Sequence, residues 1–193
     1  MASTVQIDSL REQQASKDAL AQPHWYAAYT CANHEKHVAA QLDAMTIEHF
    51  LPLYRSVRRW KDRRVSLDLP LFPGYVFVRV AISNQLQVLQ VPSVVHLVGF
   101  GGYPLALPDD EMATLRTGLA QQLRAEPHPF LTAGRRVRIR SGPLAGLEGI
   151  FLRRKGGHRV VVSIEMIQRS ISVDADVSDV EPRTTRNIEP RPL

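Results

Sequence analysis

The sequence predicts an α+β fold, an α/β sandwich built on an antiparallel sheet and followed by a small β-barrel. Three observations predict it. Over residues 23–124, strand and helix signals follow one another with hairpins between them, and no parallel dinucleotide-type crossover is implied. From residue 133 onward the signal is nearly all strand, at short intervals. Between the two lies Glu126-Pro127-His128-Pro129, where two prolines one residue apart bar helix continuation and favour an extended connector.

In the first domain, Trp25 to Tyr29 reads as a strand. Asn33 suits an N-cap for a helix running to about Met45, with Val38, Leu42 and Met45 as its apolar stripe. Phe50 to Tyr54 reads as a short strand whose Pro52 belongs at an edge or bulge. Val57 to Leu71 reads as a hairpin turning near Lys61-Asp62, because Val65, Leu67, Leu69 and Leu71 alternate. After Pro73-Gly74, a strand carries Val76, Val78 and Val80 on one face and Tyr75, Phe77 and Arg79 on the other. A short helix over Asn84 to Gln90 stops before Pro92, and Val94 to Val98 is a further strand. Pro108-Asp109-Asp110-Glu111 then opens a helix to about Leu123, its acidic first turn facing the positive end of the helix dipole.

In the second domain Val137 and Ile139 alternate with arginines, and Ile150 to Leu152, Val160 to Ile164 and Ile171 to Val173 follow as strands. Gly156-Gly157 reads as a hairpin turn, since glycine takes positive φ freely. The organisation is therefore a polar leader over 1–22, a first domain over 23–124, a linker over 125–132, a second domain over 133–182 and a mobile tail over 183–193.

Composition excludes several classes. The chain has 193 residues, 44% of them hydrophobic and 22% charged, enough for a core and too apolar for whole-chain disorder. Its one cysteine, Cys31, permits no internal disulfide and no multi-thiolate zinc site, and fits a reducing compartment. The leader lacks the apolar block of a signal peptide. The uncharged window from Val80 to Pro108 contains Asn84, Gln85, Gln87, Gln90, Pro92 and His96, each costly in lipid, so no membrane role is implied. The net charge is +5, and residues 127–193 hold twelve basic against seven acidic residues.

The catalytic inventory is thin. Gly99-Phe100-Gly101-Gly102 is followed by no Lys-Ser/Thr pair and reads as a turn rather than a phosphate loop. Cys31, His34 and His37 are spaced to share one helical face, yet no further ligand or orienting acid joins them. Carboxylates are scattered or grouped at a helix start, which gives no hydrolytic pair. The chain is read as a non-enzyme with no cofactor and no metal.

Two surface features carry more. Arg55, Arg58, Arg59, Trp60, Lys61, Arg63 and Arg64 cluster on the predicted hairpin, where guanidinium groups suit phosphate oxygens and Trp60 suits a splayed base. The plain alternative is a solvated hairpin with Trp60 folded onto the sheet. Tyr75 and Phe77 form an aromatic strand face that is either core or a docking patch for a partner helix.

Trp25-Tyr26 through Pro73-Gly74-Tyr75-Val76-Phe77-Val78 resembles the N-terminal (NGN) domain of NusG-type transcription factors. Gly134 to Phe151, with Gly142-Pro143-Leu144 and Gly146 forming a turn between strands, resembles a KOW domain of SH3-like barrel fold. The two resemblances cover residues 23–182 in the family's order. Phe50 to Tyr54, the Arg58 to Arg63 hairpin and Leu89 to Pro92 resemble specialised paralogues of the UpxY, LoaP and RfaH kind. The resemblance implies a bacterial cytoplasmic factor, monomeric and nucleoid-associated through RNA polymerase, that acts in transcription elongation and antitermination. It implies that Tyr75, Phe77, Phe100 and Met112 grip the clamp helices of the polymerase's largest subunit. Asn33 and His34, with Leu86 to Val88, would then face the opposite pincer and the non-template DNA strand, with the hairpin residues Arg58, Arg59, Trp60, Lys61, Arg63 and Arg64 near that strand or the nascent RNA. Through Gly142, Pro143, Leu144 and Ile167 the KOW domain would recruit a small-subunit ribosomal protein or the termination factor Rho. The run Val162 to Arg169 lacks the family's aromatic, and RNA binding by Arg135, Arg136, Arg138, Arg153, Arg154 and Lys155 is the competing role. The β-branched content of Val160 to Ile164 and Ile171 to Val173 favours a barrel over the helical hairpin that RfaH stores.

Overall fold

The computed structural model describes residues 20–60, 63–121, 125–128, 134–154, 157–164 and 167–182. The leader up to residue 19, the turn at Lys61-Asp62, Gly156 and the tail 183–193 lie outside them. The chain divides into two compact units, Met1–Ala113 and Thr114–Leu193.

The first unit is built on a four-stranded antiparallel sheet of β1 (Pro23–Thr30), β2 (His49–Phe50), β5 (Tyr75–Ala81) and β6 (Val94–Leu97), in the order β2-β5-β1-β6. The valine face of β5 is covered as its alternation predicts. Val76, Val78 and Val80 pack with Tyr26 and Ala28 of β1, beneath Val38 and Leu42 of helix α1 (Glu35–Ala44) and Val88 of helix α2 (Gln85–Leu89). Full burial of one such aliphatic side chain is worth about 1.5–3 kcal/mol, so this layer is a main source of the unit's stability.

Three local expectations change. Asn33 does not cap α1: it takes a left-handed φ of 64°, and the cap position falls to His34, which makes no side-chain cap bond. Asparagine tolerates that conformation as a turn residue, and the chain uses it there. Met45 follows the last helical residue and is exposed, so the stripe ends at Leu42. Phe50 to Tyr54 is not one strand. Pro52 interrupts it, offering only its carbonyl, which accepts from the Leu71 amide at 2.8 Å. Beyond that break, β3 (Leu53–Trp60) and β4 (Arg63–Pro70) pair in unbroken register from Leu53↔Pro70 to Trp60↔Arg63 as a separate two-stranded ribbon.

Gly99 to Gly102 is a turn. β7 (Gly99–Phe100) and β8 (Tyr103–Pro104) pair across Gly101 and Gly102, whose φ values of 59° and 84° only glycine adopts without strain. Helix α3 (Asp109–Ala120) follows, shorter than the predicted run to Leu123, and the division between the units falls within it.

The second unit contains a six-stranded antiparallel sheet, ordered β14-β10-β11-β12-β13-β9. Its strands are β9 (Ala125–His128), β10 (Arg136–Ile139), β11 (Glu148–Arg154), β12 (Gly157–Ile164), β13 (Arg169–Asp174) and β14 (Val180–Pro182). Val137, Ile139, Ile150, Val160, Val161, Ile171 and Val173 are buried on it. The described residues of this second domain are thus mainly strand, as the β-branched runs at Val160 to Ile164 and Ile171 to Val173 predict. The start of the linker is different: Ala125–His128 is not free connector but pairs with β13 from Val173↔Ala125 to Ser170↔His128. An isolated reading of two prolines gives an extended backbone; only the neighbouring edge of β13 turns that backbone into a strand.

Candidate functional site

The non-valine face of the sheet carries an aromatic row. Tyr29 of β1 lies in register with Tyr75 of β5 and His96 of β6, with ring centroids 5.4 Å and 5.2 Å apart respectively. Cross-strand aromatic pairs of this kind stabilise a sheet while leaving ring edges available. Tyr29 is exposed and Tyr75 half-buried. The turn before Tyr75 is held from two sides. The Gly74 amide donates to Oε1 of Glu35 at 2.7 Å, and its carbonyl accepts from the Thr30 amide at 2.9 Å. Gly74 has a φ of 86°, with a Tyr29 ring carbon 3.4 Å from where a Cβ would stand. Glu35 is itself buried, so the first turn of α1 fixes the backbone from which Tyr75 projects.

The four residues assigned by resemblance to the polymerase contact differ sharply in access. Phe77 is fully buried, edge-on to Phe72 at 5.4 Å and stacked with Phe50 at 6.2 Å. Met112 is 2% exposed. Tyr75 is half-buried, and Phe100 is 89% exposed, paired with the similarly exposed Tyr103 in the β7–β8 hairpin. Phe77 and Met112 therefore act here as core, and the accessible aromatic surface is that of Tyr29, Tyr75, Phe100 and Tyr103. Burial deeper in this domain affects a further phenol: the pKa of Tyr26 is raised, first by desolvation and then by the negative charge of Asp109.

Of the nucleic-acid candidates, Asn33 forms the turn before α1, and His34 Nδ1 shares a hydrogen bond with Ser93 Oγ at 2.7 Å. His37 lies edge-on to His34 at 6.3 Å and accepts from Gln41 Nε2 at 2.6 Å. Leu86 is exposed, whereas Val88 is core. Among the described residues no three His, Cys, Asp or Glu are grouped so as to hold a metal ion. The basic ribbon has Arg58, Arg59, Trp60, Arg63 and Arg64 on its paired backbone. Arg64 is exposed, and Arg55 makes an exposed ion pair with Asp68 at 3.5 Å. Lys61 and the side chains of Arg58, Arg59, Trp60 and Arg63 lie outside the described residues.

In the second unit Gly142 has a φ of 86° with open space around it, and Pro143 is half-buried. Leu144 and Ile167 are buried. Leu144 lies under α3: a Cβ on Gly118 would collide with its Cδ2 and come within 3.0 Å of the Pro143 carbonyl oxygen. Arg135, Arg136 and Arg138 are exposed, whereas Lys155 and the side chains of Arg153 and Arg154 lie outside the described residues.

Sequence reasoning missed the hub of this unit. Arg159 of β12 reaches Asp174 Oδ1 through Nε at 2.7 Å, and through Nη1 reaches Glu126 Oε2 at 2.9 Å and Ser172 Oγ at 3.2 Å. Its pKa is raised, chiefly by the hydrogen bond to Glu126. The three partners are 13 to 33 residues away, and nothing local marks the arginine.

Residues 23–116 match the family model described as "Transcription termination factor nusG". The chain is 29% identical over 186 residues to the transcription termination/antitermination protein NusG of Deinococcus radiodurans, with 81% of this chain and 97% of that protein covered. It is 27% identical over 173 residues to the same-named protein of Escherichia coli K12, covering 81% and 94% respectively. In fold it is similar to a structure titled "Domain interaction in Thermotoga maritima NusG", with a TM-score of 0.56 and 24% identity over 84% of this chain and 98% of that one.

Proposed function

We propose that this chain, whose residues 23–116 match the NusG family model, is a non-enzymatic transcription elongation and antitermination factor of the specialised type, docking on RNA polymerase through its first unit. The observation that carries this reading is the accessibility of aromatic rings on the first unit, Tyr29 paired with Tyr75 on the sheet and Phe100 paired with Tyr103 in the β7–β8 hairpin. Exposed aromatics on a rigid base are efficient anchors, since a few can supply most of an interface's affinity. The docked surface is the clamp-helix pair of the largest subunit. The opposite side, with Asn33, His34 and Leu86, meets the other pincer and the non-template strand. A factor that touches both pincers binds the closed, elongating polymerase more tightly than the open one, and that difference alone suppresses pausing and termination.

The basic ribbon contacts nucleic acid backbone near this interface. The second unit recruits a protein through the Gly142-Pro143 turn. A second reading, RNA binding by the second unit, is favoured by the exposed Arg135, Arg136 and Arg138 on and beside β10. The test is co-purification with polymerase of full-length chains carrying Tyr75→Ala with Phe100→Ala, or Arg135, Arg136 and Arg138 all →Gln. The aromatic pair is expected to lose polymerase while keeping a cooperative unfolding transition, and the arginine set to keep polymerase binding. Undiminished capture by the aromatic variant refutes the docking assignment.

A further inference from the structure

Resting on the docking assignment above, we propose that His34 and Glu35, at the head of α1, are positioning residues for the aromatic row Tyr29, Tyr75 and His96. They bracket the turns from which that row is set, and so fix the surface that meets the polymerase. The row runs across three neighbouring strands, with Tyr29 of β1 in register with Tyr75 of β5 and His96 of β6. Its members stand near strand ends: Thr30 is the last residue of β1, Tyr75 the first of β5, and β6 begins only at Val94. The register of β1 with β6 also shifts between Tyr29 and Thr30. Regular ladder pairing therefore holds these rings from one side, and the turns beyond the strand ends decide where they lie.

Those turns are gathered onto α1. The Thr30 amide donates to the Gly74 carbonyl at 2.9 Å, and the Cys31 amide to the Ser93 carbonyl at 2.9 Å. The end of β1 is thus tied to the residue before β5 and to the residue before β6. From the helix, Glu35 Oε1 accepts from the Gly74 amide at 2.7 Å, and His34 Nδ1 shares a hydrogen bond with Ser93 Oγ at 2.7 Å. Two consecutive side chains therefore hold both turns. Glu35 is buried, and a carboxylate accepting from a backbone amide is a stronger contact than a neutral pair. Gly74 and Ser93 have φ values of 86° and 74°, and a serine persists in that left-handed region only where its surroundings over-determine it.

The consequence is preorganisation. A side chain that has to be immobilised on binding weakens a complex by roughly twofold to tenfold, and a row already held in place avoids that loss. His34 thereby contributes to docking through Ser93, separately from any contact its own ring makes with nucleic acid or with the opposite pincer.

The experiment uses the full chain carrying Glu35→Ala, His34→Ala, Ser93→Gly or the last two together, with Glu35→Gln as the conservative variant that keeps an acceptor for the Gly74 amide. Ser93→Gly removes the hydroxyl at a φ that glycine adopts without strain. Amide exchange, the NMR shifts of the three rings and affinity for core RNA polymerase without nucleic acid are measured on each. In Glu35→Ala, exchange at Gly74 is expected to rise at least about tenfold while that of Val78 changes less than about twofold. The Tyr29 and Tyr75 resonances are expected to move and the affinity to fall roughly twofold to tenfold, with Glu35→Gln recovering most of it. His34→Ala and Ser93→Gly are expected to shift the Tyr29 and His96 resonances and weaken binding alike, and the double variant no further, because both remove one hydrogen bond. If Val78 exchanges faster to the same extent as Gly74, Glu35 is part of the core and not a positioning residue. Unmoved ring resonances, or additive losses from His34→Ala and Ser93→Gly, refute the bracket. If the rings move and polymerase affinity does not, while Tyr75→Ala with Phe100→Ala loses polymerase, the docking assignment stands and the bracket is refuted. If that aromatic variant binds undiminished, the docking assignment falls and this use of the bracket with it.

Discussion

Replacing Phe77 by alanine is expected to damage folding first and binding only as a consequence. The ring is wholly buried and touches Phe72 edge-on and Phe50 face to face, at 5.4 Å and 6.2 Å. Truncating a buried phenylalanine costs about 3–5 kcal/mol through lost transfer energy and the cavity left behind. Each aromatic pair is worth about 0.5–1.5 kcal/mol beyond buried area, so two broken pairs favour the upper part of that range. Against a typical domain stability of about 5–15 kcal/mol this is roughly a fifth or more of the total. Phe100, 89% exposed, is the internal control: its truncation is expected to move stability by less than about 0.5 kcal/mol. Urea unfolding followed by the fluorescence of Trp25, which is buried in the same unit, measures both. With slopes of about 1–3 kcal/mol per molar urea, Phe77→Ala is expected to lower the midpoint by more than about 1 M. A near-native midpoint for Phe77→Ala, or a loss above about 1 kcal/mol for Phe100→Ala, would overturn the assignment of the first ring to the core and the second to the surface.

Gly118→Ala gains about 1 kcal/mol of helix propensity, yet the new methyl meets Leu144 and the Pro143 carbonyl, an overpacking that costs about 1–3 kcal/mol. Thermal unfolding is therefore expected to show net destabilisation, and an increase in melting temperature contradicts the close approach. Tyr26 has a folded pKa above its unfolded value near 10, so the folded state holds its proton longer than the unfolded one. Its contribution to stability is complete below pH 10 and is lost as pH rises through the folded pKa; difference absorbance of the phenolate should show a late-titrating tyrosine in the native protein, and that late step should be absent from Tyr26→Phe. Changing Arg55 and Arg64 to glutamine is expected to weaken nucleic-acid binding uniformly across sequences. The slope of log affinity against log salt should fall by about 0.7–0.9 for each phosphate contact removed, and an unchanged slope leaves the ribbon a merely solvated face.

Much of the scaffold was legible along the chain because it depends on near neighbours. The alternation in Tyr75 to Val80 determined which face of β5 would be aliphatic, and the run of β-branched residues after Val160 determined that the second unit would be strand. Glycines 101 and 102 determined a tight turn. The family likeness, too, rests on local order, from Pro73-Gly74-Tyr75 to Gly142-Pro143-Leu144. Conversely, Asn33 and Met45 were misplaced by local rules, since a cap or a stripe is completed only by where the helix ends.

Access was decided by tertiary structure. Tyr75 and Phe77 share one strand face, but the second is enclosed by Phe50 and Phe72, contributed by other parts of the chain, while Phe100 and Met112 diverge to opposite extremes of exposure. Likewise Glu126 looked like one acid in a proline-rich connector until Arg159, 33 residues away, was brought across an intervening strand to meet it. The backbone's local preferences are set by adjacent residues and so can be read from their order. Whether a side chain meets solvent, a ring or an opposite charge depends on the segments packed around it, and that arrangement exists only in the folded chain.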